Sequence, residues 1–283
     1  MKTSNHLLRR LTAALLAAVL ALSIALPVFA SDDGDTIYIN SVSDLLSLAE
    51  SCAYDQWSVG KTVILQKDLS LEGMLWEPIP SFSGQFKGNG HTISDLTITG
   101  QYSPAGLFGI VEEQGSIESL SVRGVVSVSD SADTTTGGIA GINHGTLISC
   151  QFTGVVTGDS EVGGIVGRNE SEGTIDHSTA RAIVTGKSST GGIAGYNLGA
   201  ITGCTNVGSI NTEYQEASLD TDGFTAKMVD YINNKMAAAD DDVTNSVTNV
   251  ATDTGGIAGR SSGMILTSVN TGTIGYEHVG YNV

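Results

Sequence analysis

Asp176, His177, Arg181 and Lys187 put a carboxylate, an imidazole and two cations into one short stretch, the single mixed cluster in the repetitive part of the chain. Groups of these types carry acid–base chemistry on polysaccharides when they face one cleft. Asp176 and His177 are adjacent, however, and successive residues of a strand point to opposite faces. The expected outcome is a solvated surface cluster, and no residue is assigned a catalytic role.

Glycine-rich units raise a second possibility, a phosphate cradle. TGGIAG occurs at 136–141 and 254–259, TGGIAGYN at 190–197, GGIVG at 163–167 and AGLFG at 105–109. A phosphate loop requires a Lys-Ser/Thr pair and a following helix whose N-terminus faces the anion. These units offer neither and run into another strand-like piece, so they read as structural and no cofactor-binding residue is assigned. Metal chemistry has little support either. The five histidines, at 6, 91, 144, 177 and 278, lack ligand spacing, and His91 after Gly-Asn-Gly reads as a turn residue. Leu219–Phe224 (LDTDGF) holds a fragment of a calcium loop without its other ligands, and Asp222 is better placed to cap a helix. No metal ligand is assigned; weak recruitment of Ca²⁺ by an acidic surface is the most the composition supports.

The elements that must position these groups follow from an internal repeat. Gly106, Gly138, Gly164, Gly192 and Gly256 each precede the central aliphatic residue of a unit, with steps of 32, 26, 28 and 64. The last step is one ordinary period plus an insertion. After each unit comes a second element, GSIESLSVRGVV (115–126), GTLISCQFTGVV (145–156), GTIDHSTARAIV (173–184), GAITGCTNVGSI (199–210) and GMILTSVNTGTI (263–274). Its third position is Ile117, Leu147, Ile175, Ile201 and Ile265, and its twelfth is Val126, Val156, Val184, Ile210 and Ile274. Three short β-prone pieces per period, too short for helices, describe one coil of a three-sided parallel β-solenoid. Aliphatic columns would stack in its core.

Stacking also decides the chemistry of the cysteines. Cys150 and Cys204 share the sixth column but lie two coils apart with Ser178 between them. That separation is about 9–10 Å at normal strand spacing, beyond the roughly 7 Å a disulfide spans. Free, buried thiols are expected.

The flanks have their own signals. Residues 1–30 read as a secretory signal peptide: a basic start at Lys2, Arg9 and Arg10, an apolar run, and Val28-Phe29-Ala30 before a cleavage site at Ser31. An uncleaved anchor is the alternative, and no other segment is apolar enough to span a membrane. Cleavage would change the formal charge from −17 to −20, which argues against nucleic acid and anionic lipid as partners. Residues 31–104 read as an N-terminal cap and first coils. Ser41 starts a helix whose apolar face is Val42, Leu45, Leu46, Ala49, Cys52 and Ala53, placed to cover the open end of the solenoid. Residues 105–283 carry the repeat, with a helical insertion at about 212–252, where Phe224, Met228, Tyr231, Ile232 and Met236 suggest an amphipathic helix over 224–238 packed on the solenoid flank. The ending HVGYNV stands one step into a new coil, consistent with a shortened chain or an improvised cap.

GKTVILQKDLSLEGMLWEPIP, FSGQFKGNGHTISDLTI, AGLFG and the GGIAG/GGIVG units together resemble bacterial surface and secreted proteins carrying GLUG motifs, over roughly 36–211 and 253–283. The resemblance implies a pectate-lyase-like right-handed β-helix in exported, often multidomain proteins. The absence of a reactive constellation on a long, regular, acidic scaffold favours an exported, non-catalytic module, adhesin-like, a spacer or a carbohydrate-contacting surface, with polysaccharide or a cell-surface protein as partner. The alternatives are a β-helix polysaccharide lyase or hydrolase, and the accessory repeat region of a larger IgA-peptidase-like or wall-bound protein.

Overall fold

The structure, a computed structural model, describes residues 35–54, 56–128, 134–212 and 252–275. Strands pair in parallel from coil to coil, and four sheets result, of eight, four, six and nine strands. One coil visits each sheet once. Val166–Asn169 lies in the six-stranded sheet, Thr174–Asp176 in the eight-stranded, Thr179–Thr185 in the nine-stranded and Ser188–Gly191 in the four-stranded. This is the parallel β-solenoid that the repeat implies, with one addition. The sequence columns mark three pieces per coil, and the fourth arises because each glycine unit bends between two sheets.

TGGIAGYN shows the bend. The strand Ser188–Gly191 ends one sheet, Gly192 and Ile193 turn the corner, and Ala194–Asn197 begins the next. Ile193 is buried there, its N–H donating to Ile257 O of the next coil at 2.8 Å. A Cβ on Gly191 would come within 2.7 Å of Ala258 Cα and one on Gly192 within 2.7 Å of Asn206 Cβ. Only glycine lets the backbones approach this closely.

The aliphatic columns stack as their spacing predicts. Ile117, Leu147, Ile175, Ile201 and Ile265 are in register, as are Val126, Val156, Val184, Ile210 and Ile274. The first four of each column are fully buried, each contributing about 1.5–3 kcal/mol of apolar transfer. Ile265 and Ile274 in the last described coil are each 38% exposed. The insertion leaves the register intact, because Thr252 pairs with Ser188 and Ala258 with Ala194. Larger side chains fill the first coils: the rings of Phe82, Phe86 and Phe108 pack with centroids 5.4–6.3 Å apart, and Trp76 Nε1 donates to Leu107 O at 3.1 Å.

Helix α1 (Val42–Ser51) sits against the first strands, Thr36–Ile39 and Ile79–Phe82. Its cap is reciprocal: Asp44 N–H donates to Ser41 Oγ at 3.2 Å, and the Asp44 carboxylate accepts from Asn40 N–H at 2.8 Å. The Asn40 N–H is the main reason the Asp44 carboxyl is held below its ordinary value. Leu45, Leu48 and Cys52 face inward. Leu46 and Ala53, expected on the same face, are exposed. The buried stripe follows i, i+3, i+7, and Leu46 stands about 100° of helix turn from Leu45.

The segments read as a signal peptide and as a helical insertion with Asp222, and the closing 276–283, lie outside the described residues. Among the described residues no helix is long and apolar enough to cross a membrane.

Candidate functional site: the outer faces and the column interior

The mixed cluster is not assembled as the strand pattern predicts. Asp176 ends its strand, and the chain then passes through His177 with φ at 47°. That left-handed residue breaks strand alternation, and His177 Nδ1 lies 2.8 Å from Asp176 Oδ1. The expectation that the two would point apart is overturned, since it assumed one continuous strand through both. The same corner position is left-handed in five coils, at Ser119, Ser149, His177, Gly203 and Thr267. The surface character of the cluster stands: the His177 side chain is 68% exposed. Lys187 turns away to Asp159, Nζ to Oδ1 2.6 Å, and Arg181 projects from the strand Thr179–Thr185 into solvent. Of the four residues, Asp176 and His177 contact each other, Lys187 pairs with Asp159 instead, and Arg181 stands apart.

His91 is the turn residue its context predicts. Its N–H donates to Gly88 O at 2.8 Å, after Asn89 and Gly90 in the left-handed region. The ring Nδ1 lies 3.2 Å from Asp68 Oδ1, which also accepts from Thr92 N–H at 2.9 Å. The Thr92 N–H is the larger reason that the Asp68 carboxyl is held low. Asp95 is lowered in the same way by the hydroxyls of Ser70 and Ser94, which donate at 2.6 and 2.7 Å. Asp68, Ser70, Thr92, Ser94 and Arg123 line a groove of about 390 Å³. No local motif reveals this groove, because Asp68, Ser94 and Arg123 stand 26 and 29 residues apart. The only signal is that each step is one coil, and the register does bring Leu69, Ile93 and Val122 side by side.

Two further outer features were absent from the sequence reading. A groove of about 300 Å³ is lined by Gln56, Ser81, Ser83, Glu112 and Glu113, with Ser81 Oγ donating to Glu112 Oε1 at 2.7 Å. On the six-stranded sheet, Arg168, Tyr196 and Arg260 share a column, the two guanidiniums 5.1 and 5.4 Å from the tyrosine ring centroid. Arg168 also donates to Glu161 at 2.9 Å, and its Nε lies 2.8 Å from Glu170 Oε1 at an angle that makes this an ion pair rather than an aligned hydrogen bond. Among the described residues no three His, Cys, Asp or Glu side chains gather as a metal site.

The interior holds polar columns of its own. Asn143, Asn169 and Asn197 stack in register, each Nδ2 donating to the next: Asn143 to Asn169 Oδ1 and Asn169 to Asn197 Oδ1, both at 2.8 Å, then Asn197 to Ser261 Oγ at 3.1 Å. The repeated Asn after AGI, VGR and AGY is the signal that could have revealed it. The sixth column forms a second ladder. Cys150 N–H donates to Ser178 Oγ at 3.1 Å, Ser178 N–H to Cys204 Sγ at 3.4 Å, and Cys204 N–H to Ser268 Oγ at 3.2 Å. All three cysteines are free and buried, and burial pushes Cys150 up to about 12 and Cys204 and Cys52 up to about 11. Thiolate reactivity falls with the thiolate fraction, so iodoacetamide at pH 8 is expected to modify Cys150 and Cys204 at least about 100-fold more slowly in the native chain than in urea. Peptide mass spectrometry reads this, and fast native labelling would show that the columns open.

The family model of the GLUG motif matches residues 158–185. This interval contains Ser160–Gly163, Val166–Asn169, Thr174–Asp176 and Thr179–Thr185, one strand from each of the four sheets. The motif is therefore one full coil. The chain is similar to Halomucin from Haloquadratum walsbyi, 32% identical over 155 residues, covering 50% of this chain and 2% of that protein. It is also similar to a candidate Gly-rich membrane protein from Evansella cellulosilytica, 29% identical over 137 residues, covering 35% of this chain and 16% of that one. The chain thus spans a small part of the curated relatives it matches. Among solved structures, a candidate immunoglobulin A1 protease from Bacteroides ovatus superposes with a TM-score of 0.57 at 18% identity, over 84% of this chain and 66% of the other. At that identity the likeness shows the shared fold alone.

Proposed function

We propose that this chain is a non-catalytic β-solenoid module of an extracellular or cell-surface protein, and that its outer faces are contact surfaces for polysaccharide or a surface protein. The observation that carries this reading is the dispersal of its reactive groups. Asp176 with His177, Lys187 with Asp159, and Arg168 with its two glutamates are paired in separate places. The column interior is filled, so whatever the module touches meets its outside. The secretory leader read at 1–30 and the surface or membrane descriptions of relatives support an extracellular setting. The likeness to the candidate immunoglobulin A1 protease favours a second reading, an accessory repeat region of a longer protease-type protein.

Incubating residues 31–283 with acidic polysaccharides, with and without Ca²⁺, should yield no unsaturated products by ultraviolet absorbance and no new reducing ends. Product formation would overturn the non-catalytic reading in favour of a β-helix lyase or hydrolase.

A further inference from the structure

The outward face of the nine-stranded sheet consists of columns that run along the solenoid axis. Arg123, Thr153 and Arg181 form one column by register. Ser121, Gln151 and Thr179 form the next on one side, and Val125, Val155 and Ile183 on the other. With strands about 4.8 Å apart, the stems of the two arginines stand about 10 Å apart on one line.

Both arginines are exposed, and among the described residues neither lies in ion-pair range of a carboxylate, in a chain with 13 Lys+Arg against 30 Asp+Glu. Arg168 and Lys187, by contrast, are matched to carboxylates. Arg123 feels the Asp68 carboxylate only beyond ion-pair distance. Two guanidiniums outside any ion pair at a fixed spacing suit a ligand that brings its own anions at intervals, since the planar fork binds carboxylate by two parallel hydrogen bonds. The neighbouring columns specify the rest of that ligand. Hydroxyl and amide groups lie on one side, and on the other Val125 and Ile183 keep 39% and 49% of their surface open. A pyranose ring has the same two aspects, hydroxyl edges and C–H faces.

We infer that this face binds an acidic polysaccharide laid along the solenoid axis. Arg123 and Arg181 take its carboxylates, Ser121, Gln151 and Thr179 its hydroxyls, and Val125, Val155 and Ile183 its C–H faces. Asp68 and Asp95, held ionised beyond Arg123, repel the polymer at that end, so it extends from Arg123 toward Arg181. Nucleic acid fits less well, because these columns hold no aromatic residue to stack on bases. The inference deepens the contact role proposed above and rests on it.

The test is isothermal titration of residues 31–283 with polygalacturonate and with its methyl ester at low ionic strength, alginate serving as a second polyuronate. The acid forms should bind, the ester at least about tenfold more weakly, and added salt should weaken the acid alone. Arg123→Gln and Arg181→Gln should each weaken acid binding about five- to tenfold, and together reduce it to the level of the ester. Arg260→Gln, on the six-stranded sheet, should leave affinity unchanged, with circular dichroism confirming the fold of every variant. Absence of binding to both polyuronates, equal binding of acid and ester, an equal loss in Arg260→Gln, or single-stranded DNA bound as tightly as polyuronate would each overturn the inference. Product release during the titration would instead sink the non-catalytic reading and leave arginine-dependent binding standing.

Discussion

Asn169→Leu is expected to lower the unfolding free energy by about 2–5 kcal/mol, at about 1–3 kcal/mol for each buried polar group left without its partner. Asn169 sits in the middle of the ladder, accepting from Asn143 Nδ2 and donating to Asn197 Oδ1. Leucine there removes both bonds at once inside a region too dry for water to replace them. In a chain of this size the loss corresponds to a melting temperature roughly 5–15 °C lower. The triple replacement Asn143→Val, Asn169→Val and Asn197→Val is expected to cost less than three times the single change, and less per coil. With all three amides gone no buried donor is stranded, and the carbonyls of Gly145 and Gly173 keep the backbone bonds from Thr174 and Ala200. Val111 already occupies this column one coil earlier, in register with Asn143. Urea midpoints of the single and triple variants decide the matter, and strictly additive losses would show that the ladder is not cooperative. At the ladder's first member, Asn143 Oδ1 is buried without a partner because Val111 offers no donor. Val111→Asn would supply one but set its own Oδ1 against Phe82, the residue in register before it, so it should bring no gain in stability.

How far the sequence carried depended on whether a feature recurs at the coil period. The aliphatic columns, the glycine corners and the cysteine column recur, and register follows from recurrence: Leu147 must stack on Ile117 and Ile175 or leave a hole in the core. The α1 cap was legible for a local reason, since Ser41 Oγ accepts from the Asp44 N–H and the Asp44 carboxylate from the Asn40 N–H, all within five residues. Features formed between coils from unlike residues were not legible. Asp68, Ser94 and Arg123 line one groove only after three coils have stacked, and nothing near any one of them marks it. The Asp176–His177 pair failed differently. The alternation rule holds for extended backbone, and His177 sits at a left-handed corner that its neighbours in the sequence do not announce. Gly203, one coil on, is the only glycine among the five corner residues, so composition alone hides the corner.

Gly138→Ala is expected to destabilise by about 3 kcal/mol, the upper end for overpacking, and the loss should depend on one side chain. A Cβ at Gly138 would fall inside the ring of Phe152, which is fully buried beneath the corner. Ala180, Asn206 and Asn270 continue the Phe152 column under Gly164, Gly192 and Gly256. Phe152→Ala alone should cost about 3–5 kcal/mol through the cavity it leaves. In that background Gly138→Ala has no ring to meet, so the double variant should be about 1–3 kcal/mol more stable than the sum of the two losses. Gly164 provides the contrast. A Cβ there would meet the Gly192 carbonyl oxygen as well as the Ala180 methyl, the latter at 2.8 Å, and a backbone atom cannot be removed by mutation. Gly164→Ala should therefore stay costly even with glycine at residue 180, while Gly138→Ala should lose most of its cost once the ring of residue 152 is removed. Equal costs of Gly138→Ala with Phe152 in place and in the Phe152→Ala background, by urea midpoint, would mean that the corner glycine is required for its backbone and not for the space the ring occupies.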